Sequence, residues 1–577
     1  MLTSLLKKYL KPYKTGVLIS IILLLIQSVA SLYLPYLNAD IINNGVLKGK
    51  INYIFEIGGF MLLLSILVMV ASIGIAYLSA NISMAFGRDL RKDFFNHVQN
   101  FSTREMSKFG APSLITRNTN DVTQIQNVLF MALTMMIGAP ITGIGAIILA
   151  IKTNVNLSAL LLVSVPMMSL IIFILLRWIV PLFRINQIKI DKLNLVLREQ
   201  IAGVRVIRAF VKNGSQREKF QEVSADLMST TLKTTRSFAI MFPSLTVILN
   251  LSTVAVIWIG GHLIDTGKMQ IGNLGAFISY ILQVLMSVMM AVMMSLMIPR
   301  AQACAERISE VFDTQSSLVE TNDPKKVEKP IGEIEFHNVE FRYPGAEAPI
   351  LENISFKTKP GQFTAIVGST GSGKTTLLNL IPRLIDPTSG KITLDGVDIK
   401  DLTLEDLWKE IGYVPQRAFL FGGTIESNLK FGNSQATQEE LENAISISQS
   451  QEFVSELPEK TLASVAQGGA NFSGGQKQRI SIARALVKNA KVYLFDDSFS
   501  ALDYATDAKL RSALHHQYAG VNLIVVAQRV STILEADQII VLDAGKIVGT
   551  GTHKELMENC VTYQEIVNSQ LSPEAAK

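Results

Sequence analysis

Apolar and polar residues are segregated along this chain on two length scales. Up to about residue 300 the apolar positions run together in blocks of roughly 20 or more; beyond residue 333 they come in short runs between Gly and Pro turns. Six blocks lie near 16–37, 57–79, 128–151, 157–181, 239–264 and 274–298. Each is long enough to cross a hydrocarbon layer about 30 Å thick as a helix. The polar stretches after the first, third and fifth blocks are short, whereas those after the second and fourth, roughly 81–127 and 182–238, are long. Within the long stretches, Leu90 to Phe101 and Asp191 to Phe210 carry apolar residues at helical spacing between charges. The spanning helices are therefore expected to run on beyond the membrane. Breaks at 108–112 and 212–215 predict a short helix near each tip, placed at 110–120 and 211–218.

Charge fixes the threading. The N-terminal segment and the two long stretches hold 21 Lys and Arg, against 4 in the short ones. The positive-inside rule then puts the N-terminus and both long stretches in the cytoplasm, and six crossings return the chain there. The lysines before the first block precede an apolar run of about 20 residues with no evident small-residue cleavage site, which reads as an uncleaved membrane helix. Hydrophobic residues make up 49% and charged ones 18%, an apolar content high for a soluble enzyme and in keeping with a chain that is partly membrane; the six blocks exclude a wholly soluble one. Cys304 and Cys560 are far apart and imply neither a disulfide framework nor a metal site. Arg177 sits near a block end, and no acid inside a block suggests proton coupling. Met286, Met289, Met290, Met293, Met294 and Met297 form a flexible apolar stripe, suited to ordinary packing or to a pocket for hydrophobic molecules. These patterns divide the chain into a membrane domain (1–317), a polar linker (318–332) and an α/β domain (333–577).

The α/β domain carries the chemistry. Gly368, Ser369, Thr370, Gly371, Ser372, Gly373, Lys374 and Thr375 fit the phosphate-loop pattern at every fixed position. A strand-like run precedes them, and Thr376 follows at a helix start. Glycines let successive N–H groups face phosphate oxygens. Lys374 is expected to reach the β- and γ-phosphates of ATP and the Thr375 hydroxyl to ligate Mg²⁺. Tyr343, about 30 residues earlier, is an aromatic that can stack on adenine. A second phosphate-binding pattern, Ser473, Gly474, Gly475 and Gln476, opens another helix about 100 residues later. One nucleotide needs one phosphate loop, so this suggests a nucleotide clasped between two chains.

Over nearly its whole length the sequence resembles the ATP-binding cassette exporters. Phe472 to Gln476 matches that family's signature motif, Gln416 its Q-loop, Val492 to Asp496 its Walker B strand and Ser500 to Asp503 its D-loop. Thr116 to Gln124 and Ile201 to Phe210 are similar to stretches near its two coupling helices. The resemblance implies a six-helix transmembrane domain of the type I (type IV) exporter fold followed by a phosphate-loop nucleotide domain. It also implies a half-transporter in a bacterial cytoplasmic membrane, surrounded by lipid and paired with a second one. Asp496 and Gln416 would join Thr375 at Mg²⁺. ATP hydrolysis would drive hydrophobic or amphipathic compounds outward; a lipid or peptide cargo, or an ATP-gated channel, stays open. No nucleic-acid partner is expected.

Three positions depart from the family. Where it has a Glu to polarise the attacking water this chain has Asp497, one methylene shorter. The switch histidine falls at Gln528, whose amide cannot carry an imidazolium's charge. The loop before the signature has Ala466 and Gln467 in place of its usual Glu. Two changes in one hydrolytic step imply a site that binds ATP and turns it over slowly. Since the signature is intact, the resemblance implies a heterodimer in which the partner's site is the competent one.

Overall fold

The computed structural model describes residues 1–518 and 520–570, and among these leaves out six side chains, Met293's included. It divides into two compact units: Met1–Gln99 with Ala111–Thr314, and Asn100–Gly110 with the chain from Gln315 onward.

In the first unit, six helical stretches among the described residues are long and apolar enough to cross a membrane: Leu2–Val46, Ile51–Gln99, Ala111–Thr153, Val155–Ala202, Asn213–Asp265 and Ile271–Ala291. Each of the six expected blocks falls on a different one. The last continues as helix to Asp313. Several exceed 40 residues, about twice what a bilayer needs, so the amphipathic stretches do prolong the spans. At most 33% of the most apolar window of each is buried within the chain, which leaves most of that surface for lipid or another chain. Polar side chains tie the helices together at a few points. The Asn43 amide accepts from the Gly272 N–H at 2.7 Å and donates to Asn273 at 3.1 Å. Arg307 donates two parallel bonds, 2.6 and 2.8 Å, to the fully buried Asp121 carboxylate.

The tips lie earlier than expected. Helix Thr103–Phe109 occupies the first and ends at Gly110 (φ 74°), while Ala111 starts the next long helix. Helix Val204–Ala209 occupies the second, closed by Val211 (φ 53°) before Asn213 starts the fifth span. The first short helix stops within the break at 108–112, where Gly110 supplies the left-handed turn; the second stops at Phe210 and Val211, and the break at 212–215 opens the next helix. The first tip helix has a full capping box. The Ser102 hydroxyl accepts from the Arg104 N–H at 3.0 Å, and Glu105 accepts from the Ser102 N–H at 3.0 Å. It belongs to the second unit, where Ser102 meets Ser317 at 2.8 Å and the Thr103 hydroxyl donates to the Leu384 carbonyl at 3.1 Å.

The second unit is built on a six-stranded sheet in the order Lys546–Gly551, Gln538–Asp543, Phe363–Gly368, Asn522–Val526, Val492–Asp496, Ile411–Val414. All neighbours run parallel except the antiparallel edge strand Lys546–Gly551. A second sheet, Leu351–Thr358, Ile334–Phe341, Ser389–Leu394, Val397–Asp398, is antiparallel. The central strands are buried on both faces, as their near-continuous apolar runs require. The polar stretch 318–332 is bonded to this unit at several points. Val319 accepts from Arg383 at 2.8 Å, Lys325 pairs with Asp401 at 2.7 Å, and Asp395 accepts from the N–H groups of Ile331 and Gly332.

Candidate nucleotide site

Three neighbouring parallel strands end together at the site. Phe363–Gly368 feeds the phosphate loop, Val492–Asp496 delivers the acidic pair, and Asn522–Val526 leads into Gln528. Ligands gather at this carboxyl end of a parallel sheet because the connecting loops open there. Gly371 and Gly373 have φ of 84° and 98°, which L side chains rarely adopt. A Cβ at Gly373 would also lie 2.8 Å from Leu351 Cδ2. The loop thus curls tightly into helix Lys374–Leu380. Lys374 Nζ donates back to the carbonyls of Gly368 (2.9 Å) and Ser369 (2.7 Å), arching over the loop it would otherwise leave. Burial lowers its pKa, opposed by Asp497 and Asp496. The buried Ser372 hydroxyl has no hydrogen-bond partner among the described residues, as a group awaiting a ligand oxygen would.

The acidic side closes against this loop. Thr375 Oγ1 donates to Asp496 Oδ1 at 3.0 Å. Burial raises the Asp496 pKa, and the Thr375 bond offsets part of that. Gln416 Nε2 donates to Asp497 Oδ2 at 3.2 Å. Asp497 itself is held with φ 47°, its N–H on the Val526 carbonyl at 3.0 Å and its own carbonyl accepting from the Ser500 hydroxyl at 2.8 Å. Two bonds thus bring together four of the expected residues, Thr375 with Asp496 and Gln416 with Asp497. A hydroxyl, a carboxylate and an amide oxygen make a hard-donor set. With a single first-choice carboxylate, it suits Mg²⁺ that keeps water and phosphate ligands.

Gln528, with Arg529 and Val530, lines a cavity of about 240 Å³ that Ser369, Thr370 and Lys374 also line. Arg529 donates to the carbonyls of Leu502 (3.0 Å) and Ser500 (2.9 Å), joining this segment to the D-loop. Tyr343 is partly exposed, set edge-on to Phe341, with its hydroxyl 3.3 Å from Thr376 Oγ1. Its ring stands beside the phosphate-loop helix. Ser473, Gly474, Gly475 and Gln476 are not part of this assembly. Ser473 and Gln476 cap their own helix, Gly474–Leu486, reciprocally at 2.9 and 3.3 Å. Two residues at the site escaped sequence reasoning. Arg529 was readable only as a charge after the switch position, and Gln570, whose amide bonds to Gln528 and Val530, had no signal at all.

The chain is similar to known proteins over nearly its whole length. Residues 17–288 match the family model described as ABC transporter transmembrane region, and residues 351–500 the one described as ABC transporter. An ABC transporter ATP-binding protein of Mycobacterium tuberculosis is 45% identical over 574 residues, covering 99% of this chain and 98% of that protein. One from Bacillus subtilis is 36% identical over 569 residues, covering 99% of each. A Staphylococcus aureus protein provisionally named a multidrug export ATP-binding/permease protein is 31% identical over 570 residues, covering 98% of this chain and 99% of that one. The solved structure of a bacterial Atm1-family ABC exporter with ATP bound superposes with a TM-score of 0.80 at 23% identity, covering 97% of this chain and 99% of that one, a likeness of fold. The chain belongs to the ABC transporter family and has the architecture of a half-transporter, six spanning helices ahead of one ATP-binding domain.

Proposed function

We propose that this chain is the slow-site subunit of a heterodimeric ATP-driven exporter of hydrophobic or amphipathic compounds. The observation that carries the reading is the contrast within one site. Lys374, Thr375 and Asp496 are intact and mutually placed, while the two hydrolytic positions hold Asp497 and Gln528. On binding ATP, Lys374 exchanges its two loop carbonyls for phosphate oxygens; Thr375 and Asp496 would hold Mg²⁺, which would supply positive charge beside the phosphates. Asp497, one methylene short of a Glu, leaves the attacking water poorly oriented. Gln528 offers a hydrogen bond without a positive charge. The nucleotide is thus retained longer than it is consumed. The intact Ser473 to Gln476, separate from this chain's own Lys374 site, serves the nucleotide of the partner half-transporter.

Export fits the apolar spans and the Met stripe, where Met286 and Met290 leave apolar surface exposed, and the name of the Staphylococcus aureus relative. The charge asymmetry of the loops supports a cytoplasmic side for the nucleotide domain and both tips. Closure of the nucleotide domains would then move the spans through helices Thr103–Phe109 and Val204–Ala209. The test is ATPase activity of the chain purified alone and with a second half-transporter carrying Glu and His at the matching positions. Slow turnover alone and fast turnover together is the expected result; vigorous hydrolysis by the isolated chain overturns it. Accumulation of a lipophilic dye in inverted vesicles tests export separately.

A further inference from the structure

Helix Val561–Asn568 is anchored in the soluble core by Tyr563 and Val567, both fully buried, with Ile566 packed against the same cluster. Just beyond its end, Gln570 reaches the switch segment with both ends of its amide. Nε2 donates to the Gln528 carbonyl at 2.7 Å, and Oε1 accepts from the Val530 N–H at 2.9 Å. A primary amide facing a carbonyl and an N–H two residues apart gives that backbone the pairing a neighbouring strand would give it. The segment needs it, because it lies past the end of strand Asn522–Val526 and has left the sheet's ladder. Arg529, between the two bonded residues, points instead to Ser500 and Leu502. The backbone of Gln528 is therefore set from one side by the C-terminal helix, while the next residue grips the D-loop. Ser569 and Gln570 also wall the cavity that Gln528 shares with Lys374.

We propose that Gln570 is a positioning residue for hydrolysis: it fixes the Gln528–Val530 backbone and so sets where the side chain at 528 stands relative to the terminal phosphate. This rests on reading 528 as the switch position. A side chain acting on a phosphate oxygen loses on the order of 100-fold for a displacement near 1 Å, so the support of its backbone matters as much as its chemistry.

Two variants separate the bonds. Gln570→Ala removes both. Gln570→Glu keeps an acceptor for the Val530 N–H and sets a carboxylate oxygen against the Gln528 carbonyl. Hydrogen exchange at the Val530 amide is expected to quicken in Gln570→Ala and to stay slow in Gln570→Glu. Kinetics are read in the Asp497→Glu/Gln528→His background, where position 528 carries charge. There Gln570→Ala is expected to lower kcat about tenfold with the KM for ATP within about twofold. Unchanged Val530 protection in Gln570→Ala overturns the proposal. So does an unchanged kcat, or a rise in KM that accounts for the whole loss, the mark of a merely structural role. If the wild-type chain already hydrolyses fast, the slow-site reading falls and Gln570→Ala is scored on wild-type kcat by the same criteria. If neither background hydrolyses, Val530 exchange alone decides.

Discussion

Asp497→Glu combined with Gln528→His asks whether two side chains are all that separates this site from a fast one. The backbone at Asp497 is pinned by the Val526 carbonyl and by the Ser500 hydroxyl. An added methylene therefore goes into the reach of the carboxylate, about 1.5 Å. A misplacement of that size costs on the order of 100-fold, or roughly 2.7 kcal/mol of barrier. Restoring a positive charge at 528 acts on the same step, so the two gains do not simply add. The pair is expected to raise kcat roughly 100- to 1,000-fold. KM should move little, because Lys374, Thr375 and Asp496 are untouched. Glu tolerates a left-handed φ less well than Asp, so a small loss of thermal stability should accompany the gain. The assay is phosphate release by the single purified chain in lipid nanodiscs, with Lys374→Ala as the blank. A wild-type rate already within about threefold of the double variant refutes the reasoning.

Burial raises the Asp496 pKa, so its ionisation opposes folding. That penalty is absent below the ordinary carboxylate range and complete above the raised pKa. Asp496→Asn should raise the melting temperature of the nucleotide-free protein near about pH 7, with the gain fading toward about pH 4, and should abolish Mg²⁺-dependent ATP retention; thermal scans across pH and filter binding read the two effects. Arg307→Met leaves the Asp121 carboxylate buried and unpaired, at a cost of roughly 3 kcal/mol. The double variant Arg307→Met/Asp121→Asn should melt higher than Arg307→Met alone, and a lower melting point would refute this. Gly373→Ala forces a Cβ toward Leu351 at a φ of 98° and should abolish binding of a fluorescent ATP analogue. Ser102→Ala removes the cap of the first tip helix, worth about 1 kcal/mol, and should weaken the stimulation of ATPase by transported compounds while leaving basal turnover in place.

Much of this was legible because it depends on local spacing. Six apolar blocks gave six helices, and the phosphate loop gave its strand, turn and helix, since each pattern is satisfied within a few turns of chain. The break at 108–112 marks where the first tip helix stops, at Gly110 with its left-handed φ; Ser102 and Glu105, three apart, mark where it starts. The bond from Gln416 to Asp497 joins residues 81 apart and that from Gln570 to Gln528 joins residues 42 apart. The first was reached through two family motifs. The second has no motif, and a glutamine after an ordinary amphipathic helix announces nothing until the sheet places it.

The tip segment 100–110 groups with the second unit although it is made more than 200 residues before that unit's first strand. The two halves of the chain are thus not interchangeable parts. A soluble fragment beginning near residue 315 would lack the helix that Ser317 and Leu384 bond to, and would be expected to expose the surface that helix covers. Grafting this domain onto another membrane half would require carrying residues 100–110 along with it. During synthesis, that helix must wait through four more membrane crossings before the surface it belongs to exists.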